Sequence, residues 1–426
     1  MDTLWHPFTQ MQTAPSPIHI VRGKGVYLTA VDGTEYIDTG SSWWTNLHGH
    51  AHPYVASRIA AQAEELEHVL LAGFTHPNAL RLASRLLAIL PDNMGKVFYS
   101  DNGACAVEVA MKMAVQYMHN TGRPEKRRFI SFKGGHHGET FGAMAVAGDT
   151  HFNRPFRNYL FEITSITPPV PGSEEKSMEE FKAALGRGDD VACFLFEPTI
   201  LGAGGFITYS AEPLSEMIEA CQAKGVITVA DEVMTGFGRT GPLFVSLTMK
   251  AKPDIICLAK GLTGGFLPLG ATVCTDKIYG GFLSDDKGKA LLHGHSYTGN
   301  PIACASALAS IDLLEKPECE THRRRIAASH EAFVDKWGSH PAFKRCEAYG
   351  TILIMEYEVE NGSYFSSSGD DLYRFFLGCG LIMRPLGNTV YVMPPYCITN
   401  EELARIYDVI RVTLEKDTWG RSQHCS

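Results

Sequence analysis

Residues 226–241, VITVADEVMTGFGRTG, carry a continuous apolar run that stops on two acids, Asp231 and Glu232. Apolar runs without alternation are how strands buried on both faces of a sheet read. VACFLFEP (191–198), DIICLAK (254–260) and LGATVCTD (269–276) have the same character, and KVFYS (96–100) and RRFISF (127–132) are shorter cases. Helical spacing lies between them, strongest at 103–118 and 211–224 and present at 54–70 and 78–89. Strands alternating with helices predict an α/β fold with a mainly parallel central sheet and helices on both faces. Ahead of this region, GKGVYLTAVDGTEYID (23–38) reads as two short strands turning at Asp32-Gly33. After about residue 310 the pattern becomes α+β: a helix, GTILIMEYE (350–358), a helix at 370–378, a strand in TVYVMPP (389–395) and a closing helix at 400–415. The expected division is a segment 1–55 joining a small domain, a large domain 56–310, and a smaller C-terminal domain 311–426.

The 426 residues are 45% hydrophobic and 20% charged, ordinary for a globular chain. The net charge of −9 comes with no basic run or arm, so nucleic acid is not an expected partner. The opening MDTLWHPFTQMQ lacks a basic stretch followed by an apolar core, and no apolar run is long enough to span a bilayer. Eleven cysteines are scattered with no Cys-x-x-Cys pair, which predicts reduced thiols and a cytoplasmic location.

In open α/β sheets functional groups gather at the carboxyl ends of strands. YSDNGACAVE (99–108) follows one strand and opens a helix. Its Asn102-Gly103-Ala104 turn would present free N–H groups backed by the helix dipole, suited to phosphate, or would be a plain strand-to-helix turn. Asp231 leaves a buried strand and needs a cationic partner: a salt bridge to Arg239, a helix cap, or a positively charged ligand nitrogen. Lys260 ends another apolar strand before a Gly-rich loop, where desolvation would lower its pKa and make it a nucleophile. Together these three suit pyridoxal 5′-phosphate, whose phosphate needs N–H donors, whose aldehyde needs a lysine and whose ring nitrogen needs a carboxylate.

The chain resembles the class III pyridoxal-phosphate-dependent aminotransferases of fold type I. DEVMTGFGRTG followed by PDIICLAKGLTGG is the class III signature, and the likeness runs over essentially the whole chain. LWHPFTQM (4–11), SSWW (41–44), the loop HHGETFGAM, HGHSYTGNP (293–301) and MRPLGNTVYVMPPY (383–396) are similar to a narrower branch. Its amino acceptor is 8-amino-7-oxononanoate, on the route to biotin. The resemblance implies ping-pong transfer, with Lys260 as Schiff-base lysine and proton carrier and Asp231 on the pyridine nitrogen. It implies phosphate binding by Asn102, Gly103 and Ala104, with Ser296 reaching across from a partner subunit of a homodimer. Phe8, Trp44, Glu139, Gly294 and Tyr391 would meet substrate, and Arg384 would take its carboxylate. Glu197 and Arg239 would stand behind these groups. The amino donor would be adenosylmethionine, with lysine as the alternative. An ω-amino acid aminotransferase or an aminomutase on the same fold are the rival readings.

Four positions depart from the family pattern. Ala104 stands where serine is common, Phe8 where tyrosine is common, and Glu139 where aspartate is usual. His136 stands where a tyrosine usually stacks on the cofactor ring. This last residue lies in FKGGHHGET (132–140), which out of context looks like a metal site. In this loop the resemblance implies a flat His136 imidazole against the cofactor ring, with His137 and Glu139 fixing the loop or facing substrate, and no metal. LHGHAHP (47–53) has no acidic or cysteine partner at metal-ligand spacing, so hydrogen-bonding histidines are expected there.

Overall fold

The computed structural model describes residues 3–150, 152–359 and 367–414. The central sheet has seven strands: β4 (Met94–Ser100), β5 (Arg128–Phe132), β6 (Ile163–Ile166), β7 (Val191–Phe196), β10 (Ile227–Asp231), β11 (Ile255–Leu258) and β12 (Gly270–Thr275). Their order is β4-β12-β11-β10-β7-β5-β6. Only β12 runs against its neighbours, pairing antiparallel with both β11 and β4. The other six point the same way, so their carboxyl ends share one edge. That edge carries Asn102, the 133–139 loop, Glu197, Asp231 and Lys260.

Alternate strand residues divide between two cores. Cys193, Leu195, Ile227, Val229, Ile255 and Cys257 pack with the helix Gly103–Asn120. Phe194, Phe196, Ala230, Ile256 and Leu258 pack with helices Pro77–Ile89 and Ala211–Ala223 on the other face. The period-two division is what a doubly covered strand requires, and it explains why these strands are apolar throughout.

The N-terminal strands β1 (Ile20–Lys24), β2 (Tyr27–Ala30) and β3 (Glu35–Asp38) form a sheet with β15 (Leu381–Ile382), so the chain's two ends are joined. β3 and β15 pair in parallel, with Asp38 opposite Ile382. A third sheet joins β13 (Phe343–Tyr349), β14 (Ile352–Tyr357) and β16 (Thr389–Val392). A two-stranded ribbon, β8 (Ile200–Leu201) with β9 (Ile207–Thr208), stands beside the sheet edge. The sequence pattern missed β1, β6, β8, β9, β13 and β15: all but β13 have five residues or fewer, and β13 is half-exposed along most of its length. The helix expected at 54–70 ends at Glu65. The closing helix runs Asn400–Leu414, and residue 415 lies outside the described residues. Nine cysteines are free thiols, whereas Cys379 is disulfide-bonded, against the all-reduced expectation. Among the described residues no helix is long and apolar enough to cross a membrane.

Candidate active site

Lys260 opens a short 3₁₀ turn just after β11, with its backbone in the left-handed region at φ 46°. An L-residue pays for that conformation, so it persists only where packing fixes it. The side chain is half-buried, and its Nζ sits 4.3 Å from the ring centre of Trp44. Desolvation lowers the ammonium pKa to about 8, against upward pulls from Asp231 and Glu197. At that value a sizeable share of the amine is neutral near neutral pH.

Asp231 is the last residue of β10 and is buried. Its Oδ2 accepts a 2.7 Å hydrogen bond from His137 Nδ1, and its Oδ1 accepts from the Val233 N–H at 3.1 Å. A carboxylate only accepts here, so Nδ1 of His137 carries the proton. The alternative of a salt bridge from this pair of acids to Arg239 is not what forms. Glu232 accepts from Thr235 Oγ1 and from the N–H groups of Val245 and Ser246. Arg239, fully buried, donates instead to the carbonyls of Pro394 (2.8 Å), Asn46 (2.9 Å) and Trp44 (3.4 Å), with Tyr396 against its guanidinium. It acts through the backbone it holds.

His136 and Glu139 lie on the loop after β5. Burial first, then the neighbouring Lys260 charge, lowers the His136 pKa to about 4, so the ring is neutral at physiological pH. Its Nε2 is 3.6 Å from Glu139 Oε1. Partial burial raises the Glu139 carboxyl. Glu197, just past β7, accepts from the His136 N–H and the Gly202 N–H, each at 2.9 Å. Burial raises its pKa to about 7. Glu108 fixes the far end of the loop, accepting from Thr140 Oγ1 at 2.5 Å and the Gly142 N–H at 2.9 Å.

Gly138 makes the loop's close approach possible. It has φ 131°, and an added Cβ would stand 2.4 Å from Ala104 Cβ. Gly138→Ala should therefore destabilise the protein by about 1–3 kcal/mol. The denaturation midpoint measures this, and an unchanged midpoint would show that the loop has room to move.

An apolar wall completes the cleft. Trp44, Phe206 and Tyr391 form a triad with ring centres 4.6 Å to 5.9 Å apart, packed with Met234, Ile354 and Met393. Trp44 Nε1 is buried without a hydrogen-bond acceptor among the described residues. On the other side of the same turn, half-exposed Trp43 meets Phe8 at 5.7 Å and the Arg384 guanidinium at 5.4 Å.

These contacts gather most of the residues expected from sequence: Lys260, Asp231, His136, Glu139, Glu197, Trp44 and Tyr391 directly, with Phe8 and Arg384 beside them. Ser296 and Gly294 are exposed on the 291–300 loop. His48 and His50 have protein partners, Ser310 Oγ at 3.0 Å and Asp38 Oδ2 at 2.9 Å. Phe206 and Met234 were missed, and His137, expected to fix the loop or face substrate, instead pairs with Asp231. The doubled histidine was the one available signal, and it drew attention to the partly buried His136 more than to the buried His137.

The Asn102–Ala104 turn fits a phosphate through its backbone. The Asn102 side chain is spent as N-cap, accepting from the Cys105 N–H at 2.9 Å. The Gly103 and Ala104 N–H groups have no acceptor among the described residues. An added Cβ at Gly103 would come 2.8 Å from Val233 Cγ1 and 3.6 Å from Ala259 Cβ, so the turn lies between the ends of β10 and β11. A free helix N-terminus, a buried acid that accepts an imidazole N–H and a low-pKa lysine thus share one sheet edge. That donor set fits pyridoxal phosphate.

The chain belongs to the class-III aminotransferases, whose family model matches residues 8–414. Among its relatives, the adenosylmethionine-8-amino-7-oxononanoate aminotransferase of Synechococcus elongatus is 44% identical over 421 residues, covering 97% of this chain and 98% of that protein. The crystal structure of the enzyme of the same name from Methanocaldococcus jannaschii superposes with a TM-score of 0.91 at 35% identity, covering 97% of each chain. A pyridoxal-phosphate-bound amine transaminase from an uncultivated Pseudomonas species gives a TM-score of 0.90 at 27% identity, covering 97% of this chain and 99% of that one.

Proposed function

We propose that this chain transfers an amino group from adenosylmethionine to 8-amino-7-oxononanoate, giving 7,8-diaminononanoate for biotin synthesis, with pyridoxal 5′-phosphate as cofactor. The observation that carries the chemistry is the Lys260 amine just past a strand end, 4.3 Å from the Trp44 ring centre and on the same sheet edge as the Asp231–His137 pair. The cofactor, when bound, supplies an aldehyde that takes up amino groups and a ring that withdraws electrons from the adjacent carbon.

Lys260 would hold the cofactor and, once free as a neutral amine, move the proton at substrate Cα. Asp231 would keep the ring nitrogen protonated, with His137 holding the carboxylate in place. The Asn102–Ala104 backbone would bind the phosphate, and the neutral His136 ring would lie against the cofactor face. Trp44, Tyr391 and Phe206 would exclude water along an acyl chain. Arg384, exposed beside Trp43 and Phe8, would take the carboxylate. Glu139 would meet an incoming amino group, and Glu197 and Arg239 would steady the groups in front of them.

Ser296 and Gly294 are exposed, and Tyr297 beside them is an exposed aromatic. A homodimer in which Ser296 of one copy serves the phosphate site of the other would use this exposed loop. A large domain 56–310 between a segment 1–55 and a small domain 311–426 belongs to the same proposal, and the nine free thiols among the described residues support a cytoplasmic setting, with Cys379 the exception.

The competing assignment is a simple amine or ω-amino acid transaminase. Fold does not separate the two, since the TM-scores are 0.91 and 0.90, whereas identity does, at 44% and 35% against 27%. Single-turnover reactions of the loaded enzyme with adenosylmethionine, lysine and simple ω-amines in turn decide the donor. Adenosylmethionine should convert the cofactor absorbance fastest, and the converted enzyme should then aminate 8-amino-7-oxononanoate. Fastest conversion by lysine would reassign the donor, and fastest conversion by an ω-amine would overturn the substrate assignment.

A further inference from the structure

We infer that Asp38 is a positioning residue of this site, acting through the turn Ser41–Trp44; the inference rests on the reading of Lys260 as the working amine. The turn is conformationally expensive. Ser41, Ser42, Trp43 and Trp44 all have positive φ, at 51°, 47°, 68° and 72°, so four consecutive L-residues trace one left-handed turn. L-residues visit this region singly at most, because Cβ crowds the following carbonyl. Such a turn survives only where its surroundings over-determine it.

Asp38 does most of that work. Its buried carboxylate accepts the Ser42 N–H at 3.0 Å and the Ser42 Oγ–H at 2.7 Å. It also faces His50 Nε2 at 2.9 Å, and the other His50 nitrogen meets Asn46 Nδ2 at 3.1 Å. Asn46 closes the circuit by accepting the Gly49 N–H at 2.8 Å. Ser41 Oγ donates to the Met393 carbonyl at 2.7 Å, and Arg239 holds the carbonyls at the far end.

The handedness has a use. It sends two adjacent indoles to two different tasks: Trp44 over the Lys260 amine at 4.3 Å, and Trp43 against the Arg384 guanidinium at 5.4 Å. Asp38 also ends β3 opposite Ile382, two residues before Arg384. One carboxylate that touches neither cofactor nor substrate thereby sets the surroundings of the amine and of the carboxylate-binding arginine together. Releasing the turn would let water reach Lys260 and remove the backing of Arg384.

The test uses Asp38→Asn and Ser42→Ala with two readouts. In cofactor-free protein, acylation of Lys260 is followed against pH by mass spectrometry. The wild-type midpoint should lie near 8. In Asp38→Asn it should rise by about one unit as the amine is re-solvated, with a smaller rise in Ser42→Ala. In loaded enzyme, KM for the amino acceptor should rise about tenfold in Asp38→Asn, because Arg384 has lost its backing. A folded Asp38→Asn protein with unchanged midpoint and KM, altered only in denaturation midpoint, overturns the proposal. If Asp38→Asn does not fold, an unchanged midpoint in Ser42→Ala overturns it. A wild-type protein that binds no pyridoxal phosphate would defeat the functional reading alone, since the labelling comparison needs no cofactor.

Discussion

Lys260→Ala is expected to bind pyridoxal phosphate and to lose turnover by about 10⁴-fold, the upper end of what a positioned proton carrier contributes. The phosphate cradle and Asp231 lie on other strand ends, so cofactor retention should survive. The conservative replacement Lys260→Arg should fail as well, because guanidinium stays charged and a charged group takes no proton. In cofactor-free wild type, uptake of pyridoxal phosphate by this amine should speed up as pH rises through about 8 and level off above it, since the lowered pKa marks where the amine becomes neutral. Cofactor absorbance measures retention and uptake, and stopped-flow with adenosylmethionine measures the half-reaction. Appreciable multiple turnover by Lys260→Ala would remove this lysine from the chemistry.

Asp231→Asn is the second large effect. The amide keeps the shape and still accepts the Val233 N–H, but it no longer stabilises a positive ring nitrogen. The half-reaction should slow by about 10²–10³-fold, the range for losing one preorganised electrostatic partner. His137→Gln should slow it less, because the glutamine amide still donates toward Asp231. Equal losses in the two variants would mean that His137 does more than orient the carboxylate. A near-normal rate in Asp231→Asn would exclude its ring-nitrogen role.

The sheet could be read from sequence because burial on both faces leaves a local trace: Phe194 and Leu195 face opposite cores, and both must be apolar. Lys260 and Asp231 stood out because charge at the end of such a run is rare. What stayed hidden depends on long-range pairing. His137 meets Asp231 from 94 positions away, and nothing in the local spacing of either residue signals it. The left-handed turn was equally hidden. SSWW contains no glycine or asparagine, the usual marks of positive φ, because hydrogen bonds from Asp38 and from distant Met393 and Arg239 impose the conformation. Arg239 was expected to seek a carboxylate, yet its acceptors are main-chain carbonyls, which every residue has and none advertises.

Arg239 also sets an order of events during synthesis. Its acceptors lie 193 positions before it, at Asn46, and 155 after it, at Pro394. A guanidinium enters a dry interior only when such partners are ready, so Arg239 stays in water until both ends of the chain have docked around it. A ribosome delivers residues in sequence, and contacts of this span close late. The carbonyl ring that steadies the Trp44 turn is therefore complete only after Pro394 has emerged, and a nascent chain stalled before that point would carry Lys260 without its finished surroundings.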